Sequence, residues 1–304
     1  MVSKDFNSLF ELFSAFPDEQ SCIDHLEELR WGGVVVSPFD PTSKVYKCKD
    51  NKYRCKNTGK YFNVKTNTLF DGTKIELRKW FAAIWIVTSH KKGISSYQLS
   101  RDIDVTQKTA WFMLQRIRNC FGIENNNDLN NTVEMDETYV GGKNKNRHAD
   151  KKSKNARGRS IKDKTPVFGM VERKGKLNAK VVPDTSCETL TKETIKYVKN
   201  AIVYTDEWWG YNSIKNLFQH EIVKHKMSEY VREHVYTNTI EGFWSLLKRG
   251  IIGIYHFTSK QHLQKYVDEF VFRYNTRHHS ERGRFDLLLK NTEHRLTYKE
   301  LIYG

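Results

Sequence analysis

The clearest repeat of apolar and polar positions lies at 238–250. Ile240, Phe243, Trp244 and Leu247 recur every three to four residues, so this stretch forms a helix with one face turned to a core. Asn238 and Glu241 lie three apart and Glu241 and Lys248 two turns apart, which lines up an amide, a carboxylate and a cation on one side. A carboxylate beside a core-facing stripe is paired, binds a cation or stays on a solvated face, with Asn238 as the cap.

Earlier stretches read by the same rule. Phe6, Leu9, Phe10 and Phe13 make one short helical stripe, Cys22, Ile23, Leu26 and Leu29 a second, with Pro17 between them. From Trp31 to about residue 70 the pattern shortens to strands joined by turns, Asp50-Asn51 being a hairpin turn. Leu77, Trp80, Phe81, Ile84, Trp85 and Val87 restore helical spacing. Two capped helices follow, opened by Ser95 and Thr106 and separated by a turn at 102–105. Such a pair matches a helix-turn-helix whose second helix presents Gln107, Lys108, Gln115 and Arg118 to DNA edges and phosphates. Asn125–Asn131 reads as a polar linker.

Beyond it, Val133 and Met135 alternate with Asp136 on the opposite strand face. A basic loop from Lys143 to Lys164 suits a phosphate backbone or plain solvent. Residues 166–182 form a hairpin turning at Lys174-Gly175, Thr189–Lys199 a helix, and Ala201–Asp206 a short buried strand ending in an acid. Glu207–Tyr211 follows at that strand's C-terminal end, where sites in open α/β sheets gather. Residues 261–277 and 284–289 are helical. The expected division is N-terminal helices (1–30), a ribbon-like β segment (31–72), a helix-turn-helix region (73–124), an α/β domain (132–280) and a helical tail (281–304).

Charge narrows the function. The 304-residue chain carries 51 Lys and Arg against 36 Asp and Glu, a formal +15, which points to a polyanion, most simply double-stranded DNA. No stretch is apolar for the length of a membrane span, and residues 1–30 do not read as a secretion signal, so no membrane partner is expected. Five scattered cysteines suit a reducing compartment, the cytoplasm (beside the nucleoid if the source is bacterial). The 31–70 segment resembles a zinc ribbon in layout, but only Cys55 sits at a knuckle position; Thr58, Ser37 and Asp40 hold the places of the other ligands. Zinc is not expected there.

Asp136, Asp206 and Glu241, on two strands and a helix, could gather at one sheet edge as the carboxylates of two-metal phosphoryl transfer. Glu134 or Glu137 could stand in for Asp136, and Asp206 could instead cap a following helix at Trp208. The blocks Val133–Gly142, Tyr204-Thr-Asp206 and His234–Gly250, in that order, resemble the signatures of bacterial insertion-sequence transposases of the ISXO type, relatives of the eukaryotic Merlin transposases. The resemblance implies an RNase H-like catalytic domain, a mixed sheet flanked by helices, preceded by a degenerate ribbon and a helix-turn-helix. It implies binding to terminal inverted repeats, Mg²⁺- or Mn²⁺-dependent strand cleavage and strand transfer into target DNA, and a homo-oligomer on DNA. It makes Asp136 and Asp206 the first two metal carboxylates and leaves the third as Glu or Asn; the chain offers Asn238 and Glu241, and Glu241 is favoured because an ionised carboxylate binds Mg²⁺ better than an amide. Lys248 would steady a DNA phosphate near the cut, and Arg249 beside it is a further expected DNA contact. Two other readings remain open: a DNA-binding regulator with a decayed catalytic half, and a nuclease without a joining step.

Overall fold

Ser8 and Asp18 open the first two helices by accepting hydrogen bonds from backbone amides three residues ahead. In this computed structural model, residues 6–142, 148, 150, 164–223 and 237–303 are described. They fall into two units, Met1–Phe121 with His278–Gly304, and Gly122–Arg277. The basic loop at 143–164, apart from His148, Asp150 and Lys164, and His234 at the head of the 234–250 block lie outside the described residues.

In the first unit, α1 (Leu9–Ala15) buries Leu12, and Phe6 and Phe16 pack beside it. Phe10 and Phe13 face outward instead, because the Ser8 cap starts the helix late and turns the Phe6–Leu12–Phe16 side to the core. α2 (Glu19–Trp31) runs further than the sequence pattern suggests and stops at Gly32, which takes the left-handed conformation at φ 56°. Val34–Val36 therefore forms a bend with no strand, and Val34 and Val36 are exposed. β1 (Val45–Lys47), β2 (Tyr53–Cys55) and β3 (Tyr61–Phe62) make a small antiparallel sheet. Its turn sets Asp50 and Asn51 at φ 58° and 53°, as a two-residue hairpin requires.

α3 (Leu77–Ser89) is buried almost all round. α4 (Ser96–Asp102) and α5 (Gln107–Asn119) form the expected hairpin: Ser95 accepts from Gln98 N, Thr106 accepts from Thr109 N, and Asp104 takes φ 50° in the turn.

In the second unit, β4 (Leu129–Val140), β5 (Thr165–Glu172), β6 (Leu177–Val181), β7 (Val198–Thr205) and β8 (Gln219–Ile222) form one mixed sheet in the order β6-β5-β4-β7-β8. β4–β5 and β5–β6 are antiparallel; β4–β7 and β7–β8 are parallel. The helices are α6 (Cys187–Tyr197), α7 (Asn238–Gly250) and α8 (Leu263–Asn275). Strand alternation divides the core between two faces. Val133, Met135, Phe168 and Met170 pack with Leu190 and Tyr197 of α6, and Val167, Val171 and Ala179 pack with α7 and α8. The sheet is thus covered on both sides, an α/β arrangement.

The Asn-rich segment is no passive linker. Asn125 is fully buried; its amide gives to Ala179 O at 2.6 Å and its carbonyl accepts from Ala179 N at 2.8 Å. Asn275 makes the same pair of bonds with Leu177, and Gln264 accepts from Val181 N at 2.7 Å. Residues 177, 179 and 181 of the edge strand are therefore served by side-chain amides where a sixth strand would lie.

The chain then returns to the first unit as α9 (Glu281–Lys290) and α10 (Tyr298–Tyr303). Phe285 of α9 packs edge-on to Phe6 and Phe81, with centroids 5.5 and 5.6 Å away. Among the described residues no helix is long and apolar enough to cross a membrane.

Candidate active site

The parallel pairing of β4 with β7 decides where the acids meet. Glu134 lies opposite Tyr204 in that ladder, so Asp136 and Asp206, each two residues on, leave neighbouring strands at the same level. Adjacent strands lie about 4.8 Å apart. Asp206 follows the last residue of β7, and its Oδ1 accepts from Trp208 N at 2.9 Å, so it shapes the turn after the strand as well as facing Asp136.

α7 lies over this end of the sheet. Ile240, Phe243, Trp244 and Leu247 are buried, as their spacing predicts, and each large apolar side chain contributes about 1.5–3 kcal/mol. That orientation leaves Glu241, Ser245 and Lys248 along the margin. A 390 Å³ cleft is lined by Asp136, Glu137, Thr138, Asp206, Thr237, Glu241, Trp244, Ser245 and Lys248. Four sequence-chosen residues, Asp136, Asp206, Glu241 and Lys248, thus come together. Asn238 and Arg249 are exposed on α7 and are not among the lining residues.

The cleft is electrostatically loaded. Burial, followed by the neighbouring carboxylates of Glu137 and Asp206, pushes Asp136 up to about 7. Trp244 Nε1 opposes this by donating to Asp136 Oδ2 at 3.0 Å. Glu137 is buried and accepts from Tyr211 OH at 2.7 Å. Tyr211, fully enclosed beside these acids, is held well above its ordinary range and stays a neutral donor.

Glu134 does not compete with Asp136 as a ligand. Its Oε1 accepts from Arg173 Nε at 2.8 Å and Thr239 Oγ1 at 2.9 Å, and its Oε2 from Thr239 N at 2.8 Å and Ile240 N at 3.2 Å. Four donors fill the roughly four acceptor positions of a carboxylate.

Clustered hard oxygens whose mutual repulsion raises proton affinity suit a divalent cation, which would relieve the same repulsion. Among the described residues, no three His, Cys, Asp or Glu side chains stand close enough to chelate an ion as they are. Asp136 and Asp206 form a pair, and Glu241 faces them from the helix.

On the α4–α5 hairpin, Lys108 is exposed and Gln107 half-buried, with its amide on Ser96 Oγ at 2.8 Å. Gln115 and Arg118 are buried, contrary to the sequence expectation. The cause is the embedding of α5 from Met113 to Arg118. Arg116 there donates to the carbonyls of Asp71 and Leu296, segments whose approach no local pattern reveals.

In the ribbon, burial raises the Cys55 thiol, but hydrogen bonds with Ser37, Ser43 and Thr58 together bring it down to about 6. Ser37 Oγ also accepts from Phe39 N at 3.2 Å, and Asp40 accepts from Asn57 Nδ2 at 2.7 Å. The residues at three of the four knuckle positions, Ser37, Cys55 and Thr58, converge as a hydrogen-bonded cluster.

Of the other lining residues, Thr138, Thr237 and Ser245 were not singled out from sequence, Glu137 was named only as a stand-in for Asp136, and Trp244 only as a core residue. For Trp244 a signal existed: a buried indole N–H needs an acceptor, and Asp136 supplies it.

Residues 128–275 match the family model described as an ISXO2-like transposase domain. The chain is 30% identical over 276 residues, 85% of its length and 91% of the other's, to an uncharacterized protein in transposable element ISH50 of Halobacterium salinarum. Two solved structures are distantly similar. The crystal structure of the Mos1 strand transfer complex has a TM-score of 0.25 at 14% identity, covering 70% of this chain and 78% of that one. That of a pre-cleavage Mos1 transpososome has a TM-score of 0.24 at 13% identity, covering 95% and 97%.

Proposed function

Because the chain belongs to the ISXO2-like transposase family, we propose that it binds the ends of an insertion sequence, cleaves a DNA strand there and transfers it into target DNA. The observation that carries this reading is the meeting of Asp136 and Asp206, with Glu241 and Lys248, in one cleft of the family-matched unit. The mixed sheet, antiparallel on the β5–β6 side and parallel on the β7–β8 side, supports an RNase H-like catalytic domain.

Asp136 and Asp206 would hold Mg²⁺ or Mn²⁺, and Glu241 rather than Asn238 would complete the carboxylate set by closing on the pair, since it lines the cleft and an ionised carboxylate binds a hard cation better than an amide. When bound, the cation would supply Lewis-acid activation of water or a 3′-hydroxyl and charge neutralisation at the leaving oxygen. Trp244 fixes the Asp136 carboxylate by occupying Oδ2. Lys248 steadies a phosphate at the cleft, and Arg249 extends the positive charge along α7. Lys108 and Gln107, at the open start of α5, contact the element end as part of a helix-turn-helix. Bringing two ends together calls for a homo-oligomer on DNA, acting in the cytoplasm.

Asp136→Asn and Asp206→Asn test the proposal with an element-end duplex and Mg²⁺. Both variants should bind the duplex and fail to cut it, while the parent chain yields joined product. Cutting by either variant at the parental rate would sink the assignment. Binding without any cleavage by the parent would favour a regulator, and cleavage without joining a nuclease.

A further inference from the structure

The first-turn amides of a helix have no partners within it. In α7 the N-cap residue, Thr237, provides no side-chain cap. The cap comes instead from another element: Glu134 on β4, fully buried, accepts from the amides of Thr239 and Ile240 and from the Thr239 hydroxyl. Arg173 Nε, 2.8 Å away and stacked 4.5 Å from the Tyr204 ring centroid, balances its charge. A carboxylate at a helix N-terminus is also favoured by the helix dipole.

A second tether follows along the same line, where Trp244 of α7 donates to Asp136 of β4. Glu134 to Asp136 is two strand residues, about 6.7 Å. Ile240 to Trp244 is four helical residues, about 6 Å. Helix and strand therefore match in pitch between the two tethers, and Glu241 rides on the helix between them.

We infer that Glu134 is a positioning residue: it sets the register of α7 on β4 and, through it, the placement of Trp244 and Glu241 relative to Asp136. It touches neither substrate nor cation, since its four acceptor positions are filled. The consequence for metal binding rests on the function proposed above; the register itself does not.

The test compares Glu134→Ala, Glu134→Gln and Thr239→Val with the parent. Gln keeps one oxygen for the amides of α7; Val removes only the hydroxyl donor. In metal-free protein, the ¹⁵N–¹H resonance of the Trp244 indole is identified by its loss in Trp244→Phe. It should shift and exchange faster with solvent in Glu134→Ala and return most of the way in Glu134→Gln. Mn²⁺ binding, followed by electron paramagnetic resonance, should weaken about 10- to 100-fold in Glu134→Ala, with substantial recovery in Gln. An unmoved Trp244 resonance and parental Mn²⁺ affinity in folded Glu134→Ala would overturn the inference. Should Glu134→Ala not fold, Thr239→Val decides: a smaller shift in the same direction supports the register role, and none overturns it. If the resonance moves as expected while the parent chain binds no Mn²⁺, the register role stands and the metal reading falls.

Discussion

Gly169 of β5 and Trp244 of α7 occupy space that only a missing side chain leaves open: a Cβ on Gly169 would stand 2.5 Å from Trp244 Cζ2 and 2.8 Å from Ile240 Cδ1. Gly169 is also the β5 partner of Asp136, so the same position admits the indole that hydrogen-bonds the acid. Gly169→Ala should lift α7 and cost roughly 1–3 kcal/mol through overpacking. Urea unfolding should show the loss, and the Trp244 indole N–H should lose protection from exchange.

Asp136 is pushed up to about 7 by burial and then by Glu137 and Asp206. Between roughly pH 4 and 7 the native chain keeps a proton that the unfolded chain has released, so this group lowers stability as pH rises through that window. Asp136→Asn should therefore stabilise the metal-free protein at pH 8, by up to about 4 kcal/mol, and give no gain at pH 4. Thermal melts in chelator at both values check it.

At the proposed site, proton and cation would compete for the same carboxylates. Added Mg²⁺ or Mn²⁺ should raise the melting temperature at pH 8 and do little at pH 5, and Asp136→Asn should abolish the difference. Equal stabilisation at the two values would place the cation elsewhere.

Lys108 and Arg118 share α5 but belong to different environments. Lys108→Ala should leave stability within about 0.5 kcal/mol and reduce the salt dependence of DNA binding by about one counterion. Arg118→Ala should cost about 2 kcal/mol or more, because one of the largest fully buried side chains is removed and leaves a cavity. Denaturant unfolding beside a salt titration of duplex binding separates the two.

For the ribbon, the hydrogen-bonded cluster of Ser37, Ser43, Thr58 and Cys55 stands where thiolates would bind zinc. Purified protein should carry far less than one equivalent of zinc, and a zinc chelator should leave the melting temperature unchanged. Stoichiometric zinc with a chelator-induced fall would reverse this.

Local periodicity made the α7 stripe legible, because Ile240, Phe243, Trp244 and Leu247 obey a rule that needs no tertiary information. The caps at Ser95 and Thr106 were legible for the same reason. The meeting of Asp136 with Asp206 depends on the register of two strands separated by the β5–β6 hairpin and α6, which no local pattern carries. Gln115 and Arg118 misled because polarity suggests exposure, whereas Arg116 beside them is enclosed by the carbonyls of Asp71 and Leu296, far from it in sequence. Glu134 reads as a spare acid until the amides it receives from α7 are seen.

The amides of Asn125, Gln264 and Asn275 along β6 also bear on self-association. An uncovered strand is a template on which a second copy can stack. On this flank the template is already occupied by groups covalently fixed to the same chain. If copies gather on one DNA molecule as proposed, they must join through other surfaces, and crowding them there would not make this border a seed for fibrous growth.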